Sequence, residues 1–130
     1  MDKQTKVEYW LEISQYDLET ARVMLSSKRY LYVGFMCHQA IEKILKAYYS
    51  KTFDELPPYI HNLRRLANLS DLYNQMSEQQ IELLETLEPL NIDSRYPDYK
   101  KRIYQTLNEE KCKNLLKETE VLFKWIKAQL

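Results

Sequence analysis

Phe35-Met36-Cys37-His38-Gln39-Ala40-Ile41-Glu42-Lys43-Ile44-Leu45-Lys46-Ala47 decides the fold. Met36, Cys37, Ala40, Ile41 and Ile44, extended by Val33 and Tyr48, recur every three or four positions. At about 3.6 residues per turn these positions share one side of a helix, whereas a strand would alternate. The spacing predicts a helix from about Tyr30 to Tyr49. Gln39, Glu42 and Lys46 fall on the opposite side. With Lys43 they read either as a solvated polar face or as a binding face, and the pattern alone leaves both open.

Working outward, Val7, Trp10, Leu11, Leu18, Ala21 and Leu25 form the same kind of stripe, predicting a helix from about Thr5 to Ser27. The short connection Ser26-Ser27-Lys28-Arg29 makes these two helices an antiparallel hairpin. Tyr9, Ile13, Tyr16 and Met24 make a second, weaker stripe, so the first helix either sits centrally in the bundle or offers a dimer contact. Downstream, Pro57-Pro58 breaks regular structure. A short helix is expected over His61–Leu69. Ser77 and Gln80 have capping-box spacing ahead of Ile81, Leu84 and Leu87, and Pro89 ends that helix. Asn91–Tyr99 reads as a loop. Asn108 caps a last helix reaching about Gln129, with Cys112, Leu115, Leu116, Leu122, Phe123 and Ile126 inward. Val121 and Trp125 lie on another side and hint at a second contact surface. The expected fold is all-α, an up-and-down helical bundle of four main helices plus a short helix, in one domain over residues 1–130.

Composition agrees. Gly34 is the one glycine among 130 residues, too few for a turn-rich β fold. Nineteen basic and nineteen acidic residues cancel, so no net field draws the chain to nucleic acid or membrane. Cys37 and Cys112 fall on apolar stripes and read as small buried hydrophobes in a reducing compartment. The polar start, Met1–Lys6, has no apolar signal core, and no apolar run approaches a membrane span. A cytoplasmic protein is expected.

Several chemistries are missing. There is no glycine-rich phosphate loop, no Cys/His pair with zinc spacing and no local Ser-His-Asp or Cys-His arrangement. Glu82 and Glu85 lack the Glu-x-x-His partner of di-iron bundles. No metal and no cofactor are expected. Two further segments invite a functional reading. In His61-Asn62-Leu63-Arg64-Arg65-Leu66, His61 either caps or packs at a helix start, or forms a polar site that binds phosphate or moves protons. Arg64 and Arg65 could hold phosphate or face solvent. In Asp93-Ser94-Arg95-Tyr96-Pro97-Asp98-Tyr99, Arg95 could clamp a phosphate or carboxylate, Tyr96 and Tyr99 could stack on a base, and Pro97 stiffens the backbone. Alternatively, Arg95 pairs with a carboxylate and the tyrosines pack on the bundle.

Taken in order, Trp10, Asp17, Leu18 and Ala21, then His38-Gln39-Ala40-Ile41-Glu42-Lys43 with Lys46-Ala47, then His61-Asn62-Leu63, then Arg95-Tyr96-Pro97-Asp98, resemble the HEPN family of small helical bundles, found mainly in prokaryotes. The likeness spans about residues 5–125. It implies a bundle that commonly dimerises and often works beside a small nucleotidyltransferase, in some cases as a toxin–antitoxin pair. Other branches are metal-independent ribonucleases, marked by an arginine followed after four to six residues by a histidine. Neither His38 nor His61 has that arginine.

The resemblance therefore implies a non-catalytic accessory subunit, contacting nucleotide or partner through His61, Arg64, Arg95, Tyr96, Asp98, Gln39, Glu42, Lys43 and Lys46. A homodimer would use Tyr9, Ile13, Tyr16, Val121 and Trp125. The alternatives are a ribonuclease toxin built on His61 and Arg95, with RNA as substrate, and a bundle whose only task is dimerisation or protein interaction.

Overall fold

The computed structural model describes residues 2–92 and 96–130. Among these, six α-helices follow one another: α1 (Lys3–Ser26), α2 (Tyr30–Thr52), α3 (Leu63–Leu69), α4 (Glu78–Leu87), α5 (Pro97–Thr106) and α6 (Glu109–Lys127). Short 3-10 turns at Tyr73–Gln75 and Glu88–Leu90 flank α4.

Most helix starts are fixed by the side chains that satisfy their first free N–H groups. Asp2, Asn62 and Asn108 accept from the backbone of Thr5, Arg65 and Lys111. Ser77 and Gln80 form the full reciprocal capping box of α4. The α1–α2 turn closes with Lys28 at φ 61, a left-handed conformation in a residue that carries a Cβ.

The α1–α2 hairpin is as expected. Ser14 is buried in it and donates to the Ala40 carbonyl at 2.6 Å, so the two backbones come close where side chains are small. The central helix is α2, not α1: it packs against all five others, whereas α1 packs mainly on α2 and α6. The core joins Cys37, Ile41, Ile44 and Leu45 of α2 to Leu66, Leu84, Leu87, Leu122 and Ile126. Gly34 is where α2 lets the 88–90 turn approach, since a Cβ there would lie 3.1 Å from Leu90 Cδ1.

Two expectations change. Part of the Asn91–Tyr99 loop belongs to a helix, because Pro97 opens α5 at its first position, where a missing N–H costs nothing. The polar side of α2 is also not solvated. Glu42 and Lys46 are buried, covered by Trp10 of α1 and by the segment that carries His61. Cys37 and Cys112 are buried free thiols, as expected. Burial pushes Cys37 up to about 12, which holds it protonated. No helix of the described residues is long and apolar enough to cross a membrane.

Candidate functional site

The site grows from one helix face. His38, Glu42 and Lys46 are spaced by four on α2, with Gln39 and Lys43 beside them, so all five side chains leave the helix in neighbouring directions. Across from them, α1 contributes Trp10 and Asp17. Asn62 caps α3 and so fixes the backbone just after His61, bringing that imidazole over the Glu42 carboxylate. Glu88 adds a second anchor, accepting from the Leu63 N–H at 3.0 Å.

Glu42 is the hub, with 2% of its side chain exposed. Lys46 Nζ donates to Oε2 at 3.1 Å, His61 Nδ1 lies 3.1 Å from Oε1, and Lys43 Nζ stands 3.9 Å from Oε2. Lys46 is nearly as buried and also sits 5.4 Å from the Trp10 ring centroid, within cation–π range. Lys43 donates to Gln39 Oε1 at 2.8 Å and faces Asp17 at 3.8 Å. Burial pushes the Glu42 carboxyl up, but Lys46, Lys43 and the His61 hydrogen bond outweigh it and hold Glu42 below its ordinary value. Burial raises Asp17, against the pull of Lys43.

The two histidines part company here. His38 is buried, and burial holds its ring neutral by pushing it down to about 4, against the opposing pull of Glu42. Its Nε2 has no hydrogen-bond partner among the described residues. His61 is 64% exposed. An ionised carboxylate only accepts, so Nδ1 of His61 carries the proton toward Glu42. That fixes the tautomer and leaves Nε2 as the nitrogen that Glu42 does not engage. The arrangement is a charge-balanced base of two carboxylates and two lysines, buried at Glu42 and Lys46 and half-buried at Asp17 and Lys43, with one exposed, oriented imidazole above it.

The other expected residues scatter. Arg64 is exposed and lies 5.3 Å from the Tyr73 ring, so it has a partner on its own side of α3. Tyr96 and Asp98 are exposed at the start of α5. Tyr99 is committed to packing: its hydroxyl donates to the Pro89 carbonyl at 2.9 Å, and Arg102 lies over its ring. Arg95, with Asp93 and Ser94, lies outside the described residues. Of the expected dimer surface, Tyr9, Tyr16 and Val121 are exposed, Ile13 is half-buried, and Trp125 packs against the core. Periodicity did not single out Trp10 and Asp17 as site residues, although the Asp17–Lys43 charge complement was a usable signal. Among the described residues, no group of three or more His, Cys, Asp or Glu side chains could hold a metal ion.

By its described residues the protein is an all-α helical bundle. The chain belongs to the HEPN family: the HEPN domain model matches residues 7–129. Two solved structures share the fold. One, TT1696 from Thermus thermophilus, is 21% identical, with TM-score 0.78 over 96% of this chain and 98% of that one. The other, ST0689, described as an archaeal HEPN homologue, is 23% identical, with TM-score 0.71 over 95% of this chain and 97% of that one. No curated protein matches the chain.

Proposed function

We propose that this HEPN chain is a non-catalytic binding subunit that works beside a small nucleotidyltransferase and holds the phosphates of a nucleotide at the His61 rim. The observation that carries this reading is the exposed His61 ring held by buried Glu42. A pre-oriented imidazole presents one nitrogen to a ligand at little entropic cost, and in its protonated form it binds phosphate. The lysines below are engaged by Glu42 and Asp17, so they set the base of the site rather than reach outward. The family resemblance supports the partner.

The test has two arms. A native pull-down from the host should recover a small nucleotidyltransferase in near-equal amount. Calorimetry with adenosine and guanosine triphosphates should show binding to the wild type that His61→Ala weakens about tenfold, the size of one lost charge-assisted hydrogen bond. Recovery of the chain without such an enzyme, or equal affinities in the two proteins, would refute the corresponding half.

RNA cleavage is the second reading, favoured by the same geometry, since a carboxylate-held imidazole is also how a general base is oriented. RNA left intact by both wild type and His61→Ala would remove it.

A further inference from the structure

Between α2 and α3 the chain presents Tyr59, which is 97% exposed, more than any other large apolar side chain among the described residues. The backbone beneath it is nonetheless held. Pro57 is buried and Pro58 half-buried, each with its φ fixed by its own ring. The Ile60 N–H donates to the Pro58 carbonyl at 2.8 Å, closing a tight turn centred on Tyr59. Ile60 packs against the core, and Asn62 and Glu88 then fix the start of α3. Single exposed apolar side chains are common on protein surfaces. This one stands on a pinned segment, two residues from the candidate site.

Ile60 turns inward, so Tyr59 and His61 on either side of it both stand toward solvent. Their Cα atoms are at most about 7 Å apart, the reach of two residues. Tyr59 makes no hydrogen bond and no ring contact among the described residues, so its aromatic face is open. His61 turns Nδ1 to Glu42 and leaves Nε2 free of that carboxylate. An aromatic face and an imidazole nitrogen thus stand side by side. Tyr99, the tyrosine that the sequence also offers for stacking, is committed to the Pro89 carbonyl and to Arg102.

We propose that Tyr59 is the base-stacking residue of the His61 site, and that the ligand is a purine nucleotide rather than a bare phosphate chain. This rests on the nucleotide reading of His61. In a nucleotide, one ribose joins the base to the first phosphate, a span of the same order as the reach from Tyr59 to His61. One ligand therefore covers the ring with its base and meets Nε2 with its phosphates. Stacking tolerates every base, because each has a π face, and its strength differs among them. It reads no hydrogen-bonding edge, so adenine and guanine bind alike, while the smaller face of cytosine binds more weakly. Pro57, Pro58 and the Ile60 hydrogen bond hold the backbone of Tyr59 before the ligand arrives, so little order is lost on binding.

Calorimetry on the full chain with adenosine, guanosine and cytidine triphosphates, and with inorganic tripolyphosphate, tests this. Tyr59→Ala should weaken adenosine and guanosine triphosphates about tenfold, the usual effect of losing one stacked base, and leave tripolyphosphate unchanged. Tyr59→Phe keeps the aromatic face and should bind like the wild type. His61→Ala should weaken all four ligands. Tyr59 lies outside the core, so its variants should melt with the wild type, and the melting curve checks this. Equal affinity of Tyr59→Ala and wild type for adenosine triphosphate would overturn the proposal, as would an equal loss for tripolyphosphate. If His61→Ala still weakens binding in either case, the phosphate role of His61 stands and only the base contact falls. A wild type that binds none of the four ligands would overturn the nucleotide reading of His61, and the base contact with it.

Discussion

Replacing Glu42 by alanine removes the acceptor shared by Lys46 and His61, and it leaves the Lys46 ammonium in place with 7% of its side chain exposed. Stripping one partner from a buried ion pair costs about 3–5 kcal/mol, because the remaining charge is neither solvated nor paired. The Trp10 ring at 5.4 Å faces the ammonium in both proteins and so drops out of the difference; with 7% of the Lys46 side chain still exposed, the cost sits at the lower end, about 3 kcal/mol. For a chain of this length that lowers the melting temperature by about 10 °C. Lys46→Met should cost less, since Glu42 keeps His61 at 3.1 Å and Lys43 at 3.9 Å. Glu42→Leu/Lys46→Met removes both charges and should fall within about 1 kcal/mol of the wild type, as apolar replacements of buried pairs commonly do. Urea unfolding followed by circular dichroism gives all three values, and Glu42→Leu alone closes the double-mutant cycle with Lys46→Met. A Glu42→Ala cost below about 1 kcal/mol, or a double variant as costly as the two singles summed, would refute the hub role of Glu42.

The pH dependence follows from His38. Its folded value is about 4 against 6.5 unfolded, so between these the unfolded chain binds a proton that the folded chain refuses. Stability is full above pH 6.5 and falls toward pH 4, by about 2–3 kcal/mol. Glu42, also lowered, extends the loss to more acid pH. Stability constant over about pH 4.5–7 in urea titrations would contradict a neutral buried His38. Asn62→Ala should cost about 1 kcal/mol by removing the α3 cap, and amide exchange should quicken in α3 first. Lys28→Gly should stabilise the chain by about 0.5–1 kcal/mol by relieving its φ of 61, and a lower melting temperature would argue against strain at that turn.

The sequence made the hairpin, the capped starts of α4 and α6 and the resemblance to the family legible, because each rests on local spacing or on a side chain close in sequence to the backbone it caps. Missing α5 has a physical cause. Its inward side is thin, Tyr99 and Ile103 with Leu107 just beyond, and no residue in it is fully buried, so its hydrophobic period is weak. Pro97 belongs equally to a loop and to a first helical turn. The burial of Glu42 and Lys46 was hidden for a different reason. Periodicity tells which residues share a face of α2, not whether another element covers that face. The cover comes from Trp10, far upstream, and from His61, nineteen residues on from Glu42. The sequence singles out His61 and Glu42 each as candidates, but the contact between them is not legible in it.

The central claim, an exposed His61 ring held by Glu42 and open to a nucleotide, can be read directly by long-range proton–nitrogen NMR of the imidazoles. The chain has two histidines, so a single substitution assigns both. The account predicts His61 as the Nδ1-protonated tautomer, moving when adenosine or guanosine triphosphate is added, with His38 neutral and unmoved. A His61 resonance that stays put at saturating nucleotide, or that shows the other tautomer, would contradict it.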